Sequence, residues 1–199
     1  GLTAPAGPCD PGYYCISGSE TPAPNAPGSP TTSSVVGSIC PAGGYCVEGS
    51  TYPAPCPQGT FNTVEGRSSP DECVDCTPGY YCEGTNNPSV SGERPCWAGY
   101  YCDGGAKNAV QHRTPAGTYT IAGSEAPIPC PKGTYNLETG QPSCIGAPAG
   151  YYAPELGTVN LTVCAAGTYC PGNSSYPELC PAGTYNTQVG RTNITDCLP

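Results

Sequence analysis

The chain of 199 residues carries a formal net charge of −9, with 15 acidic and only six basic side chains. Nucleic-acid binding needs a basic stripe that neutralises phosphates, so the composition excludes that class of function. Leu, Ile, Val and Phe account for only 23 residues, beside 28 Gly and 26 Pro. Such a chain lacks the apolar surface for an ordinary core, and its Gly and Pro content excludes long helices.

Sixteen cysteines compensate for the missing core. In the chain-entropy account a bridge that closes about seven residues stabilises a protein by roughly 2 kcal/mol, and one closing fifteen residues by roughly 3. Zinc is the rival use of cysteine, but the one CxxC pair, Cys73 and Cys76, has no second pair or HxxxH to complete a tetrahedral site. Disulfides are therefore favoured, and they need an oxidising compartment, outside the cell or on its surface. We expect no cofactor other than covalent glycans.

A short turn motif recurs ten times, reading Gly, then Thr, Tyr or Gly, then Tyr or Phe. In chain order its glycines are Gly12, Gly43, Gly59, Gly79, Gly99, Gly117, Gly133, Gly150, Gly167 and Gly183. From Gly43 onward they recur every 16 to 20 residues, which indicates a stacked tandem array. The first gap spans 31 residues and predicts a degraded unit within Thr21–Ser34. The chain begins inside a repeat and stops just past Cys197, which indicates an internal stretch of a longer protein.

Each motif predicts a tight turn that feeds a short strand. Gly permits positive φ, and the Thr-Tyr or Tyr-Tyr that follows favours extended backbone. The predicted fold is small, disulfide-rich and mostly irregular, with short β-hairpins, essentially no helix, and an elongated tandem arrangement. We divide it into 1–39 (a unit plus a Pro/Ser/Thr-rich linker), 40–75, 76–113, 114–163 (with the cysteine-poor units) and 164–199.

Two disulfide schemes are compatible with the cysteine spacing, which alone does not choose between them. The simpler scheme keeps every bridge inside its own unit: Cys9–Cys15, Cys40–Cys46, Cys56–Cys73, Cys76–Cys82, Cys96–Cys102, Cys130–Cys144, Cys164–Cys170 and Cys180–Cys197. The competing scheme links neighbouring units, for example Cys46 with Cys56 and Cys170 with Cys180. We favour the local scheme because it uses all sixteen thiols.

The motif CPxGTYN with a closing cysteine, alternating with CPAGxYC, resembles the cysteine-rich repeats called GCC2/GCC3 or ephrin-receptor-like, relatives of EGF-like and tumour-necrosis-factor-receptor modules. The resemblance covers nearly the whole chain and implies an elongated ectodomain. The Pro-rich, sugar-ready composition further resembles subunits of mastigonemes, the glycoprotein hairs on green-algal flagella. The motifs at 114–119 and 147–152 lack the family's cysteines, which we interpret as a bend or a partner contact.

Sugar acceptors are concentrated at two places. Three N-glycosylation sequons begin at Asn160, Asn173 and Asn193. The segment from Thr21 to Ser34 has the composition of O-glycosylated stalks, and its candidates for hydroxyproline or O-glycans are Pro22, Pro24, Pro27, Pro30, Thr31, Thr32, Ser33 and Ser34. The alternative is an unmodified flexible loop.

Catalytic residues are not recognisable, so we predict no enzyme. His112 has no cysteine or carboxylate neighbour in sequence and is predicted to be solvated surface. Asp71, Glu72 and Asp75 form one acidic cluster, interpreted as turn and surface residues with weak calcium binding as the alternative. Trp97 is expected to cover a disulfide, or else to contact a partner.

These patterns predict a structural segment of an extracellular glycoprotein filament or surface coat, a rigid disulfide-stapled glycosylated rod like part of a flagellar hair. Its partners are expected to be copies of itself or other filament glycoproteins, with no nucleic acid and no membrane span in this segment. The predicted location is the cell surface, including cilia or flagella. The alternative is a ligand-binding or spacer module of a receptor ectodomain.

Overall fold

The structure, a computed structural model, describes residues 7–16, 18–26, 37–85, 88 and 94–199. The chain divides into two compact bodies, one comprising Gly1–Pro95 with Asp103–Ala109 and the other Cys96–Cys102 with Val110–Pro199. Each body contains several of the turn units. We name each unit by its turn glycine below, and the five-segment division of the sequence stays a prediction.

Sixteen strands of two or three residues form in the described ranges, and consecutive strands pair antiparallel as eight two-stranded sheets. They are β1 Tyr13–Cys15, β2 Gly37–Ile39, β3 Gly44–Tyr45, β4 Ala54–Pro55, β5 Thr60–Phe61, β6 Val74–Asp75, β7 Tyr100–Tyr101, β8 His112–Arg113, β9 Thr118–Tyr119, β10 Ile128–Pro129, β11 Thr134–Tyr135, β12 Ile145–Gly146, β13 Tyr151–Tyr152, β14 Thr162–Val163, β15 Thr168–Tyr169 and β16 Glu178–Leu179. Helix in these ranges is limited to the 3-10 turns Pro70–Glu72 and Ile194–Asp196. The predicted disulfide-rich array of short hairpins with almost no helix is confirmed.

All ten motifs fold into the same β-turn. The amide of the residue after the turn glycine donates to the carbonyl of the residue two positions before that glycine, as Thr118 does to Pro115 at 3.3 Å. The ten glycines have φ between 79° and 89°, which is the left-handed conformation that the third position of a type II turn requires. Where Thr follows the glycine, its hydroxyl donates to the same carbonyl at 2.7–2.8 Å, in Thr60, Thr118, Thr134, Thr168 and Thr184.

Each hairpin joins the end of one turn unit to the start of the next. In the Gly117 unit, Tyr119 of β9 pairs with Ile128 of β10, and β10 leads directly into Cys130, which opens the next motif. The first strand therefore follows one turn glycine and the second strand precedes the next. Because this pairing recurs, the order of the units along the chain is also their order of contact within each body.

The interior consists of disulfides and small side chains. Eleven cysteines are at most 6% exposed, together with four alanines. In the described part of the chain no Leu, Ile, Val or aromatic residue reaches the same burial. Such an interior supplies little hydrophobic stabilisation, so covalent bridges and backbone hydrogen bonds have to hold the fold.

The long first gap does not contain a degraded unit between its neighbours. The amide of Gly12 donates to the carbonyl of Cys46 at 2.8 Å, and the amide of Cys40 donates to the carbonyl of Gly12 at 2.8 Å. These bonds join the Gly12 and Gly43 units in the way that other consecutive units are joined. The prediction of an intervening unit within Thr21–Ser34 is therefore wrong, and the extra residues form an insertion, of which 27–36 lie outside the described residues.

Candidate functional site: the junction between units

In the described part of the chain, eight of the turn glycines hydrogen-bond to the next unit through both their amide and their carbonyl. The amide of Gly117 donates to the carbonyl of Asn136 at 2.8 Å. The carbonyl of Gly117 accepts from the amide of Cys130 at 2.9 Å. Asn136 lies three residues after the next turn glycine, and Cys130 lies three residues before it. One residue thus connects to both sides of the following turn.

Two further bonds flank this pair. The carbonyl of Thr114, three residues before Gly117, accepts from the amide of Gly140 at 2.7 Å. The amide of Thr120, three residues after Gly117, donates to the carbonyl of Gln141 at 3.2 Å. We call these four backbone bonds the junction. Because all four use backbone atoms, the junction tolerates variation of the side chains.

Among the described residues, the complete junction recurs between seven pairs of consecutive units. It begins at Gly12, Gly43, Gly99, Gly117, Gly133, Gly150 and Gly167. The bond to the carbonyl three residues before the turn glycine comes from a second glycine of the next unit, six or seven residues after that unit's own turn glycine. In the Gly167 unit, Asn173 takes the place of this second glycine. Asn173 adopts φ of 65°, as a glycine there would, and Asn is among the residues that tolerate this conformation best. The regular spacing of the sequence thus corresponds to a regular bonding pattern.

The two positions three residues before and after the turn glycine carry matched pairs. In five units they form a disulfide. In the Gly117 unit they are Thr114 and Thr120, both 0% exposed, whose hydroxyls hydrogen-bond to each other. In the Gly150 unit they are Ala147 and Ala153, which are 2% and 0% exposed. Both cysteine-free units retain the complete junction.

The remaining three units, which carry the motif CPxGT(F/Y)N and turn at Gly59, Gly133 and Gly183, place a buried Asn at the second of these positions. The Nδ2 atoms of Asn62, Asn136 and Asn186 donate to the carbonyls of Gly44, Thr118 and Thr168, at 2.7 to 3.0 Å. Each of these carbonyls belongs to the residue that follows the preceding turn glycine. The Asn side chain therefore adds a fifth bond between units. Sequence reasoning noted the Asn in CPxGT(F/Y)N but not this role; its fixed position three residues after the glycine was the available signal.

The turn glycine also approaches the unit after the next one. A Cβ atom added at Gly150 would lie 2.6 Å from the carbonyl oxygen of Gly190, which belongs to the Gly183 unit. Equivalent contacts recur at Gly12, Gly59, Gly99, Gly117 and Gly133. At Gly167 and Gly183 an added Cβ meets nothing within 4 Å. Glycine is therefore required twice over in most units, for its φ and for its lack of a side chain.

The structure joins all sixteen cysteines in eight disulfides. They are Cys9–Cys15, Cys40–Cys46, Cys56–Cys73, Cys76–Cys82, Cys96–Cys102, Cys130–Cys144, Cys164–Cys170 and Cys180–Cys197. These pairs coincide with the scheme in which each bridge stays inside its unit. The five short bridges close loops around a turn glycine, and the three long ones close the hairpin loop that follows it.

A charged 3-10 turn lies inside two of the loops that the long bridges close, Pro70–Glu72 before Cys73 and Ile194–Asp196 before Cys197. Glu72 accepts hydrogen bonds from the amides of Ser68 and Ser69 at 2.9 and 3.2 Å, and from the guanidinium of Arg67 at 2.6 Å. The Ser68 amide and the Arg67 side chain lower the pKa of Glu72 from 4.5 to about 2. Asp196 holds the equivalent place before Cys197, where the amides of Thr192 and Asn193 lower its pKa.

The three residues of the predicted acidic cluster have different environments. Glu72 is bound within its own turn, whereas Asp71 and Asp75 are exposed. Among the described residues, no three His, Cys, Asp or Glu side chains come together as a metal site would need.

Two aromatic residues lie differently from their predictions. His112 is half-buried and its ring stacks on Tyr101 across the β7–β8 pair, with ring centroids 5.1 Å apart. The prediction of a solvated His112 is therefore wrong. Trp97 is 64% exposed, which favours the partner-contact interpretation over a cover for its disulfide.

The three sequon asparagines are exposed. Asn193 begins the 3-10 turn Ile194–Asp196, where its Oδ1 accepts from the Thr195 amide at 3.1 Å. The Oδ1 of Asn173 lies where a Cβ of Gly146 would be. In the described part of the chain, the Nδ2 atoms of Asn160, Asn173 and Asn193 donate no hydrogen bond, unlike those of the buried asparagines. The nitrogen that would carry a glycan is therefore not engaged in a hydrogen bond in any of the three.

The O-glycan candidates fall mostly outside the described residues. This applies to Pro27, Pro30, Thr31, Thr32, Ser33 and Ser34. Pro22 is exposed, whereas Pro24 is buried and packs near the backbone of Gly37. A sugar on Pro24 would require this packing to open.

A family model described as tyrosine-protein kinase ephrin type A/B receptor-like matches residues 117–164, about a quarter of the chain. No curated protein sequence matches the chain. The matched residues contain the cysteine-free turns of Gly117 and Gly150. With the eight disulfides, this match supports a cysteine-rich, receptor-like repeat of the extracellular type. In the described ranges no helix combines the length and hydrophobicity that crossing a bilayer requires.

Proposed function

We propose that the chain is a structural segment of an extracellular glycoprotein filament or surface coat, of the kind that forms flagellar hairs. The observation that carries this proposal is the junction, repeated with the same four backbone bonds between consecutive units. A tandem array of this kind gains stability from each neighbour. It can therefore be lengthened without a new core, which suits a protein that has to extend away from the cell surface and resist proteolysis and shear.

The proposed surface for assembly is formed by the second strands of the hairpins. In the body that contains Val110–Pro199, these strands expose one branched aliphatic side chain per unit at Ile128, Ile145, Val163 and Leu179, with exposures from 40% to 78%. Apolar side chains at two-residue strand edges suit pairing with another chain. The proposed partners are copies of the same chain or other filament glycoproteins, and the proposed location is the cell surface, including cilia or flagella.

Glycans at Asn160, Asn173 and Asn193 complete the proposal. All three asparagines lie in the last 40 residues of the chain and expose their side chains. Sugars there, and on the Pro/Ser/Thr-rich insertion, would hydrate the surface and limit lateral association to the uncovered faces.

The second candidate is a ligand-binding or spacer module of a receptor ectodomain. It is favoured by the receptor-like description of the family that matches residues 117–164. The exposed side chain of Trp97 would then suit contact with a soluble ligand.

Self-association separates the two candidates. The secreted chain is examined by sedimentation velocity over a range of concentrations and by negative-stain microscopy, and regular fibres are expected. The variant Ile128→Ser, Ile145→Ser, Val163→Ser should lose them. A matched control, Ile121→Ser, Leu137→Ser, Val189→Ser, removes aliphatic side chains that are 58%, 58% and 64% exposed outside the strands, and should keep them. A chain that stays monomeric at every concentration would overturn the filament proposal.

A further inference from the structure

The short disulfides enclose every junction group that their unit supplies to the next one. In the Gly99 unit, the bridge Cys96–Cys102 closes a loop that contains the carbonyl of Cys96, both polar groups of Gly99 and the amide of Cys102. These groups bond to the Gly117 unit at 2.9 to 3.1 Å. Because the loop is covalently closed, tension along the chain cannot separate its four groups from one another.

The Gly117 and Gly150 units supply the same four groups from an open loop. In the Gly117 unit the two positions that carry a disulfide elsewhere, Thr114 and Thr120, are joined only by the hydrogen bond between their hydroxyls. In the Gly150 unit the corresponding residues are Ala147 and Ala153, whose methyl groups cannot bond. The junctions themselves are complete, with bonds of 2.7 to 3.2 Å. These two units therefore hold their neighbours as the bridged units do, but nothing covalent keeps their own turn folded.

The open turns also lie in the longest bridge-free stretches that are wholly within the described residues. Residues 103–129 separate Cys102 from Cys130, and residues 145–163 separate Cys144 from Cys164. When extended these stretches span roughly 100 Å and roughly 70 Å. Bridge-free stretches such as 47–55 and 171–179 are much shorter, about 35 Å each when extended.

We propose that the Gly117 and Gly150 units are the extensible elements of the array, which unfold and release length under tension while the bridged units stay folded. A force performs work in proportion to the length released, so it favours opening the segments that can lengthen most. Neighbouring disulfides limit the opening to 103–129 and 145–163, and refolding needs only the local turn and its junction. The usefulness of this extension rests on the proposed structural function in a filament or coat. The extension itself is a property of a single chain.

Single-molecule stretching of the whole oxidised chain between terminal handles tests this. Among the length gains we expect one that matches residues 103–129, called the first gain, and one that matches residues 145–163, called the second gain. The variant Thr114→Cys, Thr120→Cys adds a bridge that holds six residue steps, so the first gain should shorten by about 15 Å, which is about 21 Å of chain less a bridge of about 6 Å. The variant Ala147→Cys, Ala153→Cys should shorten the second gain equally. The controls Thr114→Ser, Thr120→Ser and Ala147→Ser, Ala153→Ser should leave both gains unchanged.

Amide hydrogen exchange provides a second measurement on the unaltered chain. The amides of Gly117 and Thr120 should exchange faster than the equivalent amides of Gly99 and Cys102, because only the latter lie in a closed loop. Equal protection, or length gains that the added bridges do not shorten, would overturn the proposal. Neither result depends on fibre formation, so failure of the filament proposal and failure of this one are distinguishable.

Discussion

The hydroxyl of Thr114 hydrogen-bonds to the hydroxyl of Thr120 at the two positions where five other units carry a disulfide. Both residues are fully buried. A non-covalent pair thus replaces a covalent one without loss of the surrounding backbone bonds, which shows that the junction does not depend on the bridge.

Because these two hydroxyls bond to each other, the losses of stability caused by substituting Thr114 and Thr120 should not be additive. Thr114→Val alone, or Thr120→Val alone, leaves one buried hydroxyl without its partner and should cost about 1–3 kcal/mol. The double variant removes both hydroxyls at nearly constant shape and should be close to neutral. Thermal and urea unfolding under non-reducing conditions measure the three variants. Additive losses would show that the hydroxyl bond is not the reason for this Thr pair.

Alanine at the turn glycines should be tolerated unequally. Gly117→Ala and Gly183→Ala both place a Cβ on a residue with positive φ, 79° at Gly117 and 88° at Gly183. This conformation costs a residue with a Cβ roughly 1–2 kcal/mol. At Gly117 the new Cβ also meets the carbonyl of Gly157 and lies 3.1 Å from Val159 Cγ2, whereas at Gly183 it meets nothing within 4 Å. The Gly117 variant should therefore lose about 1–3 kcal/mol more. The melting temperatures of the two variants give the comparison, and equal losses would contradict packing against the unit after the next.

Acid should loosen the turn before Cys73. Glu72 has a pKa of about 2 in the folded chain, lowered from 4.5 by the Ser68 amide and the Arg67 side chain. A lowered folded-state pKa means that the ionised carboxylate stabilises the turn above pH 4.5, and that this contribution is lost as the pH falls toward 2. Hydrogen exchange of the Ser68 and Ser69 amides between pH 2 and 5, corrected for intrinsic rates, should show the loss. Glu72→Gln should remove this pH dependence, whereas Glu65→Gln, an exposed residue outside the turn, should keep it.

Peptide mapping without reduction should recover the unit-local bridges. Cys40–Cys46 and Cys56–Cys73 are expected as separate linked peptides, because the structure pairs them so. Cleavage after Glu48 by a glutamate-specific protease lies between Cys46 and Cys56, so a Cys46–Cys56 link would be recognised as a joined pair. Finding that link in place of the two local ones would reverse the choice of scheme.

Glycan occupancy is expected at Asn160, Asn173 and Asn193 in a eukaryotic secretion host. Removing one sequon at a time with Thr162→Ala, Ser175→Ala and Thr195→Ala should reduce the intact mass by one glycan each. Asn136→Gln is the matched control, because Asn136 is buried and lies in no sequon. A wild-type mass equal to that of the bare polypeptide would exclude both N- and O-linked sugars.

Much of the local architecture was predictable from residue order. The type II turns at Gly117 and its nine equivalents need only a glycine at the third position, and the hairpins need only extended residues on either side. The bridges pair cysteines no more than 17 positions apart. The position of the sequons and the small share of branched aliphatic residues likewise indicated an extracellular, coreless protein before any fold was known.

Contacts between distant residues were not predictable in this way. Nothing near Gly150 in the chain indicates that the carbonyl of Gly190 lies against it. The equivalence of Thr114–Thr120 and Ala147–Ala153 to a disulfide appears only when the units are superimposed on a common junction, and the insertion after Cys15 appears as such only because Gly12 bonds to Cys46. The physical reason is that turns and short bridges are set by neighbouring backbone dihedrals, whereas the junction depends on carbonyls and amides that every residue possesses. Their pairing is therefore unmarked in the sequence and is selected only when successive units pack together.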